Sequence, residues 1–447
     1  MNLIPHFIYR RIAHRPNLVK IVDNIGWLFF DKLLRMGVGM LVGVWVARYL
    51  GPEQFGLLSF AGAFTGLFGA IAGLGLQGIV VRDIVRDPQG ANLTLGTAAV
   101  LQLFGGLLAY LLILISIVYL RPEDALARSI VAVLGAIMLL KAGEIAQYWF
   151  ESQVQSKYTV WVQNGVFLVF AGIKVVLILL EVTLVVFVWA TLLEAAVVTI
   201  VLLIVLKGRS STLYSLRFSI KRVKTLLLDS WPLILAGLSV TAYMKIDQIM
   251  LGQMLGDEAV GIYSAATRIS EVWYFIPIAI VASVFPAILE AKKRSEAQYY
   301  ARLQRLYDLM VIMGLVIAIP MTFFSGKIIS LLFGETYYAA GTVLSIHIWA
   351  SVFVFLGVSS SNWFLAENRQ WLNLQRTLLG AISSVLLNLV LIPKYGVNGS
   401  AISLVLSQAI SSWLYDGLHR ATRHMFMMKL SAMNPIAIFS RYKQQSI

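Results

Sequence analysis

The chain has 447 residues, 59% of them hydrophobic and 13% charged, whereas an ordinary soluble domain is roughly a quarter charged. That composition excludes a water-soluble globular domain and identifies a membrane protein. Cysteine is absent, which excludes disulfides and thiolate metal sites, and the five histidines are too scattered for a metal cluster.

Taken in chain order, residues 1–24 (beginning MNLIPHFIYRRIAHRPNLVK) form a basic segment with no short apolar core and cleavage site, so a removable signal peptide is not expected. The segment is expected on the cytoplasmic membrane surface. Twelve apolar spans follow, near residues 25–48, 55–78, 93–119, 129–150, 158–180, 184–206, 229–252, 259–286, 306–332, 341–364, 372–391 and 398–418. Each is long enough to cross a hydrocarbon core about 30 Å thick. In the ninth, Pro320 and Ser325-Gly326 are expected to interrupt the helix. Pro277, Pro286 and Pro320 are candidate kinks. Of the 36 Lys and Arg residues, 25 fall on one side of the resulting topology (with Arg376 counted at a span end), five on the other and six within spans. The positive-inside rule puts the rich side, and both termini, in the cytoplasm. The net charge of +14 is therefore topological, and nucleic acid is not an expected partner.

The longest polar connection lies in residues 207–228 and separates an N-lobe at 25–206 from a C-lobe at 229–419; residues 420–447 read as a cytoplasmic tail. Each lobe opens with the same hairpin. ARYLGPEQFGLLSFA (47–61) and GQMLGDEAVGIYSAA (252–266) share Gly51 with Gly256, Glu53 with Glu258, Gly56 with Gly261 and Ser59 with Ser264. An even number of crossings separates them, so the halves are related by an axis along the membrane normal, an organisation typical of transporters. The first motif, the stretch KIDQIMLGQMLGDEAVGIYSAATRI and the later FPAILEAKKR resemble the oligosaccharide repeat-unit (Wzx-type) flippases. These form the polysaccharide-transport branch of the multidrug/oligosaccharidyl-lipid/polysaccharide (MOP) exporter superfamily. The resemblance extends over nearly the whole chain. It implies an all-α, V-shaped fold of two six-helix lobes similar to the multidrug and toxin extrusion (MATE) transporters. It also implies movement of an undecaprenyl-pyrophosphate-linked oligosaccharide from the inner to the outer leaflet of a bacterial cytoplasmic membrane, with glycan polymerases as possible partners.

Ionisable groups inside spans cost several kcal/mol unless hydrated or paired, so each is a functional candidate. Asp31 and Arg35 lie one helical turn apart and can pair, with Lys32 turned sideways; all three are near the inner end, where snorkelling to headgroups is the alternative. Lys141 and Glu144 are three apart and deeper, whereas Lys174 and Glu194 are single charges in apolar helices. In the second half Lys245 and Asp247 face opposite ways, and Arg268 with Glu271 shares one face about 15 Å from the preceding turn. A buried Arg268–Asp247 bridge is the structural alternative there. For the cargo the resemblance implies, Arg268, Lys245, Lys141, Lys174, Lys32 and Arg35 are the candidates to hold the anionic head group. Asp31, Glu144, Asp247 and Glu271 are candidates for ion pairs or for a coupling H⁺ or Na⁺; no other cofactor is expected. His347 is expected to be packed, Asn362, Asn388 and Gln408 to bond sugars or neighbouring helices, the YWF at 148–150 to join an interfacial belt and the VWYF at 272–275 to pack.

A same-fold alternative is a cation-coupled multidrug exporter, whose cavity should be acidic; six intramembrane cations favour an anionic cargo. A membrane glycan polymerase or ligase is the other alternative. Short outer loops without clustered carboxylate, His or Arg, and no nucleophile–base or phosphate-loop motif, argue against an enzyme.

Overall fold

The computed structural model describes residues 16–209 and 215–443, so most of the basic N-terminal segment and the middle of the 207–228 connection lie outside it. Every regular element among the described residues is helical. Helices α1 (Pro16–Leu67), α2 (Leu76–Arg86), α3 (Ala91–Leu120), α4 (Ala125–Ser152), α5 (Ser156–Leu179) and α6 (Leu184–Arg209) make up the first half. Next come α7 (Ile220–Met254), α8 (Asp257–Arg294), α9 (Glu296–Phe333), α10 (Ala339–Ala366) and α11 (Gln370–Leu418), then two short helices, α12 (Arg423–Ala432) and α13 (Pro435–Lys443). A backbone without water partners must satisfy its own hydrogen bonds, and the helix does so locally. Large apolar side chains such as Ile115, Leu179, Phe323 and Leu331 are accordingly exposed at the surface, where hydrocarbon is the solvent.

Ten stretches among the described residues are long and apolar enough to cross a membrane, against the twelve spans expected. The difference lies in two turned stretches. Val22–Arg86 (65 residues) is broken at Gly51 (φ 73°), and Gln370–Leu418 (49 residues) at Gly396 (φ 59°). At 1.5 Å per residue each would be more than twice the hydrocarbon thickness if straight. The expected interruption of the ninth span is not found: α9 continues through Pro320 and Ser325-Gly326. An interior proline costs a helix about 3 kcal/mol, but unwinding it in hydrocarbon would strand several backbone groups at several kcal/mol each. Helices α7 and α9 also begin about ten residues before the spans at 229 and 306, and the residues read as a tail contain α12 and α13.

Contacts divide the chain into two compact units. The first comprises residues up to 50 with Ala61–Thr241, the second Gly51–Phe60 with the residues from Ala242 onward. The division therefore falls inside α7, not in the polar connection. The reason is ionic. Arg222 and Asp229, at the start of α7, bind Asp83 (2.8 Å) and Arg82 (2.6 Å) of α2, while Leu226 joins the core of Leu76, Val80 and Leu95.

The duplicated hairpin is a structural repeat. Gly51 and Gly256 share one backbone conformation (φ 73°, ψ 171° and φ 90°, ψ 179°), and Gly334 repeats it (φ 89°, ψ 173°). Within the second unit the first two copies meet. A Cβ on Gly56 would overlap the Asp257 carbonyl and lie 2.7 Å from Gly261 N; one on Gly261 would overlap the Pro52 carbonyl. The fifth residue after each turn glycine thus touches the first residue after the other. That reciprocity is the signature of a twofold contact, and only glycine allows backbones this close.

Candidate functional site

In the first unit, four helices bring charges to one cavity of about 460 Å³. Helix α1 supplies Arg35, α4 supplies Lys141 and Glu144, α5 supplies Lys174 and α6 supplies Glu194. Residues Ala136–Glu144 of α4 are wound as a 3₁₀ helix. With three residues per turn, side chains at i and i+3 eclipse, which sets Lys141 Nζ 2.6 Å from Glu144 Oε1. Lys174 Nζ meets Glu194 Oε2 at 2.7 Å, so two charges that look isolated in the sequence are partners across helices. Arg35 Nε donates to Asp31 Oδ1 at 2.8 Å and stacks over Phe167 at 5.3 Å. Three cations and two carboxylates line the space, and all five are accessible rather than sealed. Lys32 is exposed and does not line it.

The remaining candidates lie in the second unit and are arranged differently. Asp247 is 2% exposed. It is held by neutral donors: Asn388 Nδ2 at 2.6 Å, Tyr263 Oη at 2.9 Å and Ser384 Oγ at 3.0 Å. The Arg268–Asp247 bridge does not form. Arg268 instead stands 5.5 Å above the Phe55 ring, so the first hairpin supplies its contact. Among the described residues no hydrogen bond or ion pair engages Arg268, Lys245 or Glu271, all half-buried. His347 is buried, as expected, with Nδ1 2.9 Å from Ser270 Oγ. The amide oxygen of Asn388, beside Asp247, has no partner.

A third cluster escaped the sequence reading. Lys429 of α12 is fully buried and donates to Asp416 Oδ2 (2.6 Å), the Ser412 carbonyl (2.7 Å) and Ser360 Oγ (3.0 Å). Arg376, counted from sequence with the inner loops, is buried on Ser360 (2.7 Å), Asn373 (2.9 Å) and Ser361 (3.0 Å). Burial, opposed by Asp416 and reinforced by Arg376, pushes the Lys429 ammonium down to about 8. Residues Ile410–Leu414, which carry the Ser412 carbonyl, form a π-helical turn; such a bulge frees backbone acceptors. The YWF expected at the interface is also inside: Tyr148 is buried between Gln102 (2.8 Å) and Glu144 (3.1 Å), and Phe150 packs beside Leu202 and Leu206. The VWYF packs as expected, on a 3₁₀ turn (Val272–Tyr274) inside α8.

Sequence signals exist for some of these. Ser384 and Asn388 are one turn apart on α11, and Gln147 and Glu151 one turn apart on α4. Lys429 carries no such signal, because its partners come from two other helices, Ser360 of α10 and Ser412 and Asp416 of α11.

This all-helical fold is that of the MATE-type transporters. An inward-facing multidrug-resistance MATE transporter of the MOP superfamily superposes with a TM-score of 0.71, covering 90% of this chain and 95% of that one at 18% identity. The family described as "Polysaccharide biosynthesis protein" matches residues 21–292, and the MatE family matches residues 232–393. The chain belongs to the polysaccharide biosynthesis protein family. The "Probable low-salt glycan biosynthesis flippase Agl15" of Haloferax volcanii is 26% identical over 87% of this chain and 81% of its own length. A candidate O-antigen transporter of Shigella flexneri is 23% identical over 89% and 98%.

Proposed function

We propose that the protein is a flippase for a lipid-linked oligosaccharide, carrying an undecaprenyl-pyrophosphate-linked repeat unit from the inner to the outer leaflet of a bacterial cytoplasmic membrane by alternating access. The observation that carries this reading is the first-unit cavity, where Arg35, Lys141 and Lys174 converge in about 460 Å³. The polyprenyl tail can remain in lipid, but a pyrophosphate cannot cross hydrocarbon unpaired. Cations already poised on carboxylates can exchange those partners for phosphate oxygens without ever being bare. The names of the Haloferax and Shigella relatives support a glycan cargo. The charge distribution supports termini on the inner side.

Asp247 is the residue we assign to ion coupling. A buried carboxylate with only neutral donors, beside the unpartnered oxygen of Asn388, would gain from a proton or Na⁺. The cation-coupled multidrug exporter remains the alternative supported by the MatE match at 232–393, and cargo charge separates the two readings.

In proteoliposomes holding a fluorescent polyprenyl-pyrophosphate monosaccharide, the wild-type chain should move the lipid between leaflets, read by a membrane-impermeant quencher. Lys141→Met with Lys174→Met should lower the rate by at least about thirtyfold, since truncating a charge contact that bound pyrophosphate would desolvate costs about 2–5 kcal/mol. Unchanged transport of the lipid, or transport of a lipophilic cation instead, would defeat the proposal.

A further inference from the structure

The pyrophosphate-binding groups account for only part of the polar surface in the first unit. From Glu144 a chain of side chains continues along α4. Gln163 Nε2 donates to Gln147 Oε1 (3.3 Å), Gln147 Nε2 to Glu151 Oε1 (2.8 Å), and Gln77 Nε2 to both Glu151 oxygens (3.0 and 3.1 Å). Gln147 and Gln163 line the cavity; Glu151 and Gln77 lie beyond it. Helices α2, α4 and α5 each contribute, and none of the four side chains is buried. Lys141 to Glu151 spans about 15 Å of helix, the length of a short oligosaccharide rather than of one ring.

The chemistry changes along this line. At the cavity end each carboxylate holds a cation; at Glu151 there is no ion pair among the described residues, only amide donors. An anionic phosphate gains nothing there and would be repelled by Glu151. A sugar hydroxyl, which both donates and accepts, suits it: Glu151 accepts, and the amide oxygens of Gln77 and Gln163 are bonded to no protein donor among the described residues. Planar amide and carboxylate groups can engage neighbouring hydroxyls in pairs.

We propose that Gln77, Gln147, Glu151 and Gln163 form a sugar-recognition ladder that binds the glycan of the cargo while Arg35, Lys141 and Lys174 hold its pyrophosphate, and that the ladder favours neutral sugars over uronic acids. The proposal rests on the flippase reading and adds to it a specificity site. It assigns cargo length to Glu151 and Gln77, which lie beyond the charged cavity.

The test compares two fluorescent polyprenyl pyrophosphates in the same proteoliposomes, one bearing a single N-acetylhexosamine and one a neutral tetrasaccharide. Gln77→Ala with Glu151→Gln should lower the tetrasaccharide-to-monosaccharide rate ratio about tenfold, the effect of one or two lost hydrogen bonds. A ratio that stays at the wild-type value overturns the ladder, whether both rates fall together or neither does. Glu151→Gln alone preserves shape and guards against misfolding. It should relax the discrimination against a uronic-acid-bearing tetrasaccharide, and unchanged discrimination also counts against the proposal. If instead Lys141→Met with Lys174→Met leaves both lipids moving normally, the head-group assignment fails independently of the ladder.

Discussion

Lys174–Glu194 in the first unit and Lys429–Asp416 in the second are chemically the same pair, at 2.7 and 2.6 Å. Their surroundings are opposite. The first retains 21% and 17% side-chain exposure on the wall of a cavity; the second retains none. An accessible pair can trade its partner for a ligand, whereas a sealed pair can only hold helices together. Intramembrane charge is therefore a poor guide to function until its access is known. The same contrast separates the two candidate clusters: the first unit presents cations already paired at an open space, and the second encloses a carboxylate among neutral donors.

The largest expected effect tests the sealed pair. Lys429→Ala leaves Asp416 buried without its cation and should destabilise the protein by about 3–5 kcal/mol, read as a lower thermal unfolding midpoint in detergent; a concurrent Asp416→Ala should restore much of the loss. The same pair has a pH signature. Lys429 titrates near 8 when docked and near 10.5 when free. Between these values the docked state binds fewer protons, so docking of α12 should strengthen as pH rises through that window and be indifferent to this group below it. Hydrogen exchange of residues 423–432 checks the sign; slower docking kinetics alone would not reproduce it. If Lys174→Met proves as destabilising as Lys429→Ala, the contrast between the pairs collapses.

A smaller effect is expected at Asp247. Asp247→Asn keeps a polar group among Tyr263, Ser384 and Asn388 but removes the charge. It should abolish the dependence of transport on a proton or Na⁺ gradient and leave binding of a lipid pyrophosphate to the first unit within about twofold, since contacts in separate sites act additively. A binding loss equal to that of the Lys141/Lys174 double variant would merge the two clusters into one site. The smallest effect belongs to Phe55→Leu. It removes the aromatic face under Arg268 and should reduce transport by no more than the 0.5–2 kcal/mol of a cation–π contact, measured in the same leaflet assay. A complete loss would make Phe55 part of a site rather than a support for Arg268.

The hairpin repeat, the helical class and two of the accessible ion pairs are visible in the sequence because each depends on short-range order. Gly51 and Gly256 mark turns, and Asp31–Arg35 and Lys141–Glu144 are one-turn neighbours. The partnership of Lys174 with Glu194 is not visible, because twenty residues and a loop separate them. The burial of Arg376 and Lys429 is not visible for a related reason: hydropathy counts both with the inner side, and the groups that enclose them lie on other helices. The 3₁₀ winding of Ala136–Glu144 has no evident sequence mark either, yet it aligns the cavity's Lys141 with Glu144.

Sequence alone determined that the chain lives in a membrane, that it is helical throughout its apolar stretches and that its two halves start alike. Hydropathy and backbone hydrogen bonding act locally, and for continuous apolar runs of this length they select the helix. Only the tertiary structure decided which charges meet, which of those meetings a ligand can enter and that the repeated hairpins touch each other through Gly56 and Gly261. Those outcomes depend on distances between helices far apart in the chain, which neither composition nor periodicity encodes.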